Sequence, residues 1–516
     1  MATRYVDSAN GNEANAGTSM GAAWRYPPGM TGSTHTADVT SGDFVEIQNG
    51  SSYTGRRFIP VAGVTYRGYG LGGAQITIKK VVPGHAYLKY DHPVAREPGV
   101  HQGSWALSLG TLGSANVLRY DGNNSDVADV VIDGGPAGTN RDTVLMGASA
   151  SITNAALRRA CILNSAKVGV KTFALNPTFE EVQILSAEQD CMMVSTAASS
   201  DYGAGGNLQA SHLDLRNPNT DRDGDPVPGA TGDMLQLLAV NGEWKRSATI
   251  DGFYGYKLDS QKQAMNIHDC LNGVTLRNFH WEGDSNSSIT IDGGSIRGRL
   301  LIEDGYVYEG SSNFHLLRLN PQSGTNISQI LSAAGNIVMR RITINAPVGG
   351  LCGLITLASS NTPSGALDGQ VTTEACILVG PNAGQAAVLL WKSTMQPTVG
   401  TLRAYTRGNM IFTSGSQEAI VLPPDSALPN GAADRKNYRT TGNFCPSSAS
   451  FNIGSTSYSS VALFQAADAY ATDNDDSHTW AEMLVDETTW GFSSVASPAL
   501  VAGIWQPYSQ APRQLG

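Results

Sequence analysis

The feature that most restricts how this chain can fold is a short signature returning through its middle: an apolar residue, two polar or small ones, then usually another apolar one. It reads Leu157-Arg-Arg-Ala160, Phe179-Glu-Glu-Val182, Leu215-Arg-Asn-Pro218 and Ile250-Asp-Gly-Phe253, then Leu276-Arg-Asn-Phe279, Ile302-Glu-Asp-Gly305 and Met339-Arg-Arg-Ile342. The intervals are 22, 36, 35, 26, 26 and 37 residues. A period in the twenties broken by insertions of about ten is what stacked β-coils give, because extra length can only bulge outward as loops. Leucine-rich repeats share this period, but their Leu-x-x-Leu-x-Leu-x-x-Asn consensus is missing. Helical periodicity is poor, since Gly, Asn, Ser and Thr interrupt almost every window.

A second column of short strands keeps the same phase. It comprises Asp190-Cys-Met-Met-Val194, Asp233-Met-Leu-Gln-Leu237, Gln263-Ala-Met-Asn-Ile267, Ser287-Ser-Ile-Thr-Ile291 and His315-Leu-Leu-Arg-Leu319. Strand alternation sends Met192/Val194, Leu235/Leu237, Met265/Ile267, Ile289/Ile291 and Leu317/Leu319 to one side. Met193, Gln236, Asn266, Thr290 and Arg318 then line the other. The expected object is a solenoid wall, dry inside and polar outside, with rungs about 4.8 Å apart.

Composition narrows the partners. The net charge is −10, which argues against a nucleic-acid partner, since phosphate binding needs a basic footprint. No stretch approaches the roughly 18 apolar residues of a spanning helix, so no membrane insertion is expected. The opening Met1-Ala-Thr-Arg-Tyr-Val-Asp7 lacks the charged start and apolar run of a secretory signal. The six cysteines are never closer than 24 residues, too scattered for a zinc cluster, and read as buried reduced thiols.

Ile132-Asp-Gly-Gly, Val274-Thr-Leu-Arg-Asn and Ile337-Val-Met-Arg-Arg resemble coils of right-handed parallel β-helix proteins, the pectate-lyase-like superfamily. Tyr5-Val-Asp-Ser-Ala-Asn-Gly-Asn-Glu-Ala-Asn-Ala-Gly-Thr18 with Ala22-Ala-Trp24, and Gly63-Val-Thr-Tyr-Arg-Gly-Tyr-Gly70, are similar to the starts of such proteins. Tyr458-Ser-Ser-Val-Ala-Leu-Phe-Gln-Ala466 and Ser497-Pro-Ala-Leu-Val-Ala-Gly503 resemble their closing segments. The resemblance implies an all-β, right-handed, single-stranded parallel β-helix. Among members without a secretion signal it points to phage tailspikes, homotrimers that bind and cleave a bacterial exopolysaccharide, capsule or lipopolysaccharide glycan. Localisation in a virion, beside other phage tail proteins, is implied with it; otherwise an extracellular location is expected. The chain departs from a full-length tailspike in lacking an obvious head-binding domain and a long hydrophobic C-terminal tract.

Asp190 and Asp233 precede their strands at one phase, so they are expected to stack one coil apart with carboxyl groups about 5 Å from each other, a retaining-glycosidase separation. Two close carboxylates also raise one pKa, as a general acid requires. Gln189-Asp-Cys191 faintly resembles the Asp-Asp-Cys of polygalacturonase-type hydrolases, without their companion motifs. The competing reading is that both aspartates cap the turn into the strand. Glu188 and Glu243 are further acid candidates. Trp244 and Trp281, each beside a glutamate, are read either as sugar platforms or as packing. Gln236, Asn266, Arg318 and Tyr256 are candidate substrate contacts, with Tyr254, Tyr306 and Tyr308 as neighbours. A polysaccharide lyase would use Lys257 or Arg318, and a non-catalytic glycan-binding or structural β-helix of a virion is the other alternative. No cofactor is required; Asp221, Asp223 and Asp225 offer the alternating oxygens of a calcium loop without its twelfth-position glutamate, and read as a solvated loop or a Ca2+ site.

The expected layout is an N-terminal cap with first coils over 1–125, the main solenoid over 126–425, and a C-terminal capping portion over 426–516. A helix over Ser459 to Tyr470 would cover the open end of the stack.

Overall fold

The computed structural model describes residues 1–70, 76–77, 100–101, 107–110, 115–134, 141–147, 152–195, 207–216, 232–237, 247–257, 264–267, 273–283, 287–292, 299–309, 313–320, 336–345, 351–357, 369–380, 385–391, 403–413, 417–428, 430–445, 449–477, 485–486 and 491–492, with single residues at 112, 447 and 482. The chain divides into two compact units. One holds residues 1–242, 248–259 and 514–516, the other 243–247 and 260–513.

In the first unit each coil contributes one long and one short strand. The long strands Asp126–Asp133, Ala156–Leu163, Thr178–Ile184 and Asn207–Arg216 pair in parallel, in that order. The short strands Leu118–Tyr120, Val144–Met146, Val170–Thr172, Met192–Val194 and Leu235–Leu237 do the same. Consecutive parallel strands from consecutive coils make this a parallel β-helix. Its interior follows from alternation: Val127, Leu157 and Phe179 stack on one wall and Val144, Val170, Met192 and Leu235 on the other, all wholly buried.

The two-polar signature has a backbone cause. Asp129, Arg159, Glu181 and His212 each adopt a left-handed conformation, with φ between 44° and 59°. They occupy one rung position in successive coils. A single left-handed residue bends the strand and resets its alternation, so two outward residues stand between two inward ones. The bend costs a non-glycine residue about 1 kcal/mol, offset here by pairing across coils. Arg159 donates to both oxygens of Asp129, and Arg158 bridges Asp126 and Glu180.

One anchor differs from the expected phase. Phe179 pairs with Ala210, while Leu215 pairs with Ile184. The bend of that coil is His212, so its true signature is Ala210-Ser-His-Leu213. A small inward residue and a histidine conceal it, and Leu215-Arg-Asn imitates it one segment later.

The start of this unit is a cap built on three further parallel strands, Thr3–Val6, Phe44–Gln48 and Thr65–Tyr69. Trp24 seals it: its backbone exchanges hydrogen bonds with Tyr5 and Asp7, its indole donates to Asn15 O, and its ring stacks on His35.

The second unit repeats the scheme. Long strands Val274–Gly283, Arg299–Glu309 and Asn336–Asn345 stack in parallel, and Leu276, Ile302 and Met339 fall in line as the signature requires. Later coils split at the bend into Gln370–Glu374 with Ile377–Gly380 and Arg403–Arg407 with Met410–Thr413, followed by Tyr438–Thr441. Short strands Met265–Ile267, Ser287–Asp292, Asn313–Asn320, Leu351–Leu357, Gln385–Trp391, Gln417–Leu422 and Ala449–Ile453 form the opposing wall. This unit has its own left-handed column, Asn278, Asp304, Arg341, Ala375, Gly408, Gly442 and Asp473. Arg341 binds both Asp304 and Glu303, so this bend is also pinned by an ion pair across coils.

Just after the bend, an asparagine ladder replaces apolar packing in the last coils. Asn409, Asn443 and Asn474 lie at most 7% exposed. The Oδ1 of each accepts the backbone N–H of the residue one coil earlier, Cys376, Asn409 and Asn443 in turn, at 3.0 to 3.1 Å. Their Nδ2 groups donate to the carbonyls of Thr373, Thr406 and Thr440. Buried amides are tolerable here because donors and acceptors meet at every rung.

Gly305 shows how tightly the coils approach. A Cβ there would lie 2.0 Å from the Phe279 ring, which is itself packed on Trp281. Gly305→Ala is therefore expected to destabilise the fold by about 1–3 kcal/mol through overpacking, readable as a lowered denaturation midpoint.

The stack closes at Ala449–Ile453, which pairs with the antiparallel strand Thr456–Tyr458. The expected helix spans Val461–Ala467, with Ser460 accepting the amide of Leu463 as its N-cap. Phe464 lays its buried ring on Phe451. Cys161, Cys191, Cys376 and Cys445 are buried thiols outside any disulfide, as the sequence implied. Among the described residues no helix is long and apolar enough to cross a membrane.

Candidate functional site

Asp190 and Asp233 stand immediately before the short strands of adjacent coils in the first unit. Met192 pairs with Leu235, and the amides of Cys191 and Met192 donate to the carbonyls of Asp233 and Met234. The two aspartates therefore stack as the shared phase required. Asp190 Oδ1 accepts the backbone N–H of Asp233 at 2.6 Å, and Asp233 Oδ2 accepts from Gln236 Nε2 at 2.9 Å. Gly232 permits this closeness, since a Cβ there would sit 2.2 Å from the Gln189 carbonyl carbon. Asp190 is 4% exposed and Asp233 2%.

Burial raises the Asp190 carboxyl to about 7, and the Asp233 charge adds to the rise, while the accepted Asp233 amide and the Lys171 ammonium act against it. Asp190 thus combines two properties. It satisfies the buried amide of Asp233 in the next coil, and burial holds its own proton up to about 7.

The remaining sequence candidates scatter. Gln236 is half-buried and in register with Met193 and Lys171. Glu188, two residues before Asp190, is half-buried. Tyr256 is completely enclosed, and Trp281 is 2% exposed against Phe279, so neither ring presents a face to a surface glycan. For Trp281 the cause is the bend at Asn278, which resets the alternation and turns Phe279 and Trp281 inward. Asn266 pairs in register with Thr290, and Thr290 with Arg318, as the second column implied. Asn266 itself is only 8% exposed. The side chains of Thr290, Arg318, Lys257 and Tyr308 lie outside the described residues, as do Glu243, Trp244, Asp221, Asp223 and Asp225.

Sequence reasoning missed a groove in the second unit. It encloses about 570 Å³ and is lined by Arg299, Val338, Arg340, Gln370, Thr372, Glu374, Tyr405, Thr406, Arg407, Arg439 and Thr441. Two registered columns build it: Val338, Thr372, Tyr405 and Arg439, and Arg340, Glu374, Arg407 and Thr441. Arg340 pairs with Glu303 at 2.6 Å and Arg407 with Glu374 at 2.8 Å. Arg439 lies over the Tyr405 ring. A signal was present, because Thr373-Glu-Ala-Cys376, Thr406-Arg-Gly-Asn409 and Thr440-Thr-Gly-Asn443 extend the signature with threonine in place of its apolar anchor.

No protein-family model matches this chain, and no curated protein matches it.

Proposed function

We propose that this chain is a tailspike-like β-helix that binds an extended bacterial surface polysaccharide, an exopolysaccharide, capsule or lipopolysaccharide glycan, as a homotrimer on a virion. The observation that carries this reading is the groove of the second unit, where each of five successive coils contributes at least one polar side chain: guanidinium groups from four of them, with hydroxyl, amide and phenol groups on the third to fifth. A polymer with hydroxyls at regular spacing matches a wall whose polar groups repeat about every 4.8 Å. The resemblance of the coils and of the opening and closing segments to right-handed parallel β-helix proteins, the superfamily that includes tailspikes, supports the assignment. Purified capsule from a matched host is expected to bind saturably, with sedimentation of the complex as readout. Failure to bind any host glycan would remove this reading.

A second reading, cleavage, is favoured by one feature: Asp190 keeps its proton up to about 7 one coil from Asp233. In that reading Asp190 is the general acid and Asp233 the partner carboxylate, and because both are buried the substrate meets them only when the covering turn opens. New reducing ends without the ultraviolet absorbance of an unsaturated uronate indicate hydrolysis, and both together a lyase. Asp190→Asn and Asp233→Asn are each expected to lower turnover by about a hundredfold or more. Near-full activity in both variants assigns the pair to turn capping alone.

A further inference from the structure

We infer that the groove of the second unit selects an acidic polysaccharide, one bearing carboxylate or sulfate groups; this rests on the glycan-binding reading above. Its lining holds four arginines against one glutamate, in a chain whose net charge is −10. The cations are distributed over successive coils rather than clustered. Arg299 stands on the first coil, Arg340 on the second, Glu374 on the third, Arg407 on the fourth and Arg439 on the fifth. Four steps of about 4.8 Å give a span of roughly 19 Å, which suits an extended chain more than a single small anion.

The arginines differ in how they are held. Arg340 and Arg407 are tied to Glu303 and Glu374 and shape the floor. Arg299 and Arg439 are exposed, and among the described residues neither has an ion-pair partner. They mark the two ends of the groove; Arg439 Nε donates to the Lys436 carbonyl at 3.3 Å, which leaves its two terminal nitrogens, paired as a fork that matches a carboxylate or sulfate bidentately. Gln370 and Thr372 between the two ends, with Thr441 on the Arg439 coil, bring neutral hydrogen-bonding groups and Tyr405 a half-buried ring. These serve a sugar's hydroxyls and apolar faces and would be superfluous for a bare anion. Glu374, between Arg340 and Arg407, sets the spacing by repelling an acidic group at the centre.

The test is titration of the full chain with polygalacturonate, dextran sulfate, uncharged dextran and a double-stranded DNA fragment, at low and at moderate salt. Saturable binding of an acidic polysaccharide that weakens with salt is expected, and the tighter of the two identifies carboxylate or sulfate as the fitted group. Arg299→Ala combined with Arg439→Ala should weaken it by about tenfold or more, with the denaturation midpoint unchanged because neither residue is buried. Glu374→Gln should tighten it several-fold. Equal binding of the double variant, equal binding of uncharged dextran, or preference for DNA would overturn the inference. If host capsule still binds the double variant as it binds the parent, the acidic-groove idea falls while glycan binding stands; if capsule binds neither protein, glycan binding itself falls.

Discussion

Replacing Asn443 by leucine is expected to cost about 4 kcal/mol and to unravel the last coils before the rest of the stack. Asn443 is wholly buried and serves both neighbours. Its Oδ1 accepts the Asn409 amide at 3.1 Å and the Asn409 Nδ2 at 2.9 Å, while its Nδ2 donates to Thr406 O and to Asn474 Oδ1. Leucine is close in size but takes the Oδ1 acceptor from the Asn409 backbone N–H and the Nδ2 donor from the Thr406 carbonyl, and it removes one of the partners of Asn409 Nδ2 and of Asn474 Oδ1. Each stranded group costs about 1–3 kcal/mol, and the added apolar burial recovers only part. Because solenoid stability is a sum of coil and interface terms, the loss should localise. Hydrogen exchange checks it directly: the amides of Cys376, Asn409 and Asn443 should lose protection while those of the first unit keep theirs. A loss of stability below about 1 kcal/mol would show that the ladder is not what holds these coils together.

Asp190→Asn is expected to remove a pH dependence and to raise stability under alkaline conditions. The folded carboxyl titrates near 7, whereas an unfolded one titrates near 4. Between those values the folded state retains a proton that the unfolded state has released. Unfolding free energy therefore falls as pH rises through this window and levels off above it. Three pH units at about 1.4 kcal/mol each set an upper limit of roughly 4 kcal/mol. An asparagine keeps an Oδ1 to accept the Asp233 amide and cannot ionise, so its stability should stay flat across the window and exceed that of the parent at pH values above 7. Denaturant melts of both proteins at several pH values decide it, and parallel curves would mean that the Asp190 proton is not retained. The same variant separates capping from chemistry, since it preserves the cap and abolishes the acid.

The signature residues explain how much could be read in advance. Leu157, Phe179, Leu276, Ile302 and Met339 were recognisable because an inward apolar residue repeats at each coil and alternation fixes its neighbours. Asp190 and Asp233 were legible for the same reason, each preceding a strand of identical pattern. Leu215 misled because insertions of variable length separate the coils, and nothing local marks His212 as the bend. Tyr256 misled, and Trp281 stood open between platform and packing until burial decided for packing, because aromatic residues beside polar ones read equally as surface or interior and only the enclosing coils distinguish the two.

The amino-acid sequence by itself determined the repeat, the parallel solenoid and the inward-facing residues, since hydrophobic alternation acts over a few neighbouring positions. Tertiary structure alone decided which outward side chains of the later long strands become neighbours, because residues 30 to 40 positions apart are brought within one rung only when intervening loops are excluded from the wall. The raised carboxyl of Asp190, the ladder through Asn443 and the arginine groove all arise from that vertical stacking, where a charge or amide meets partners that no local stretch of sequence contains.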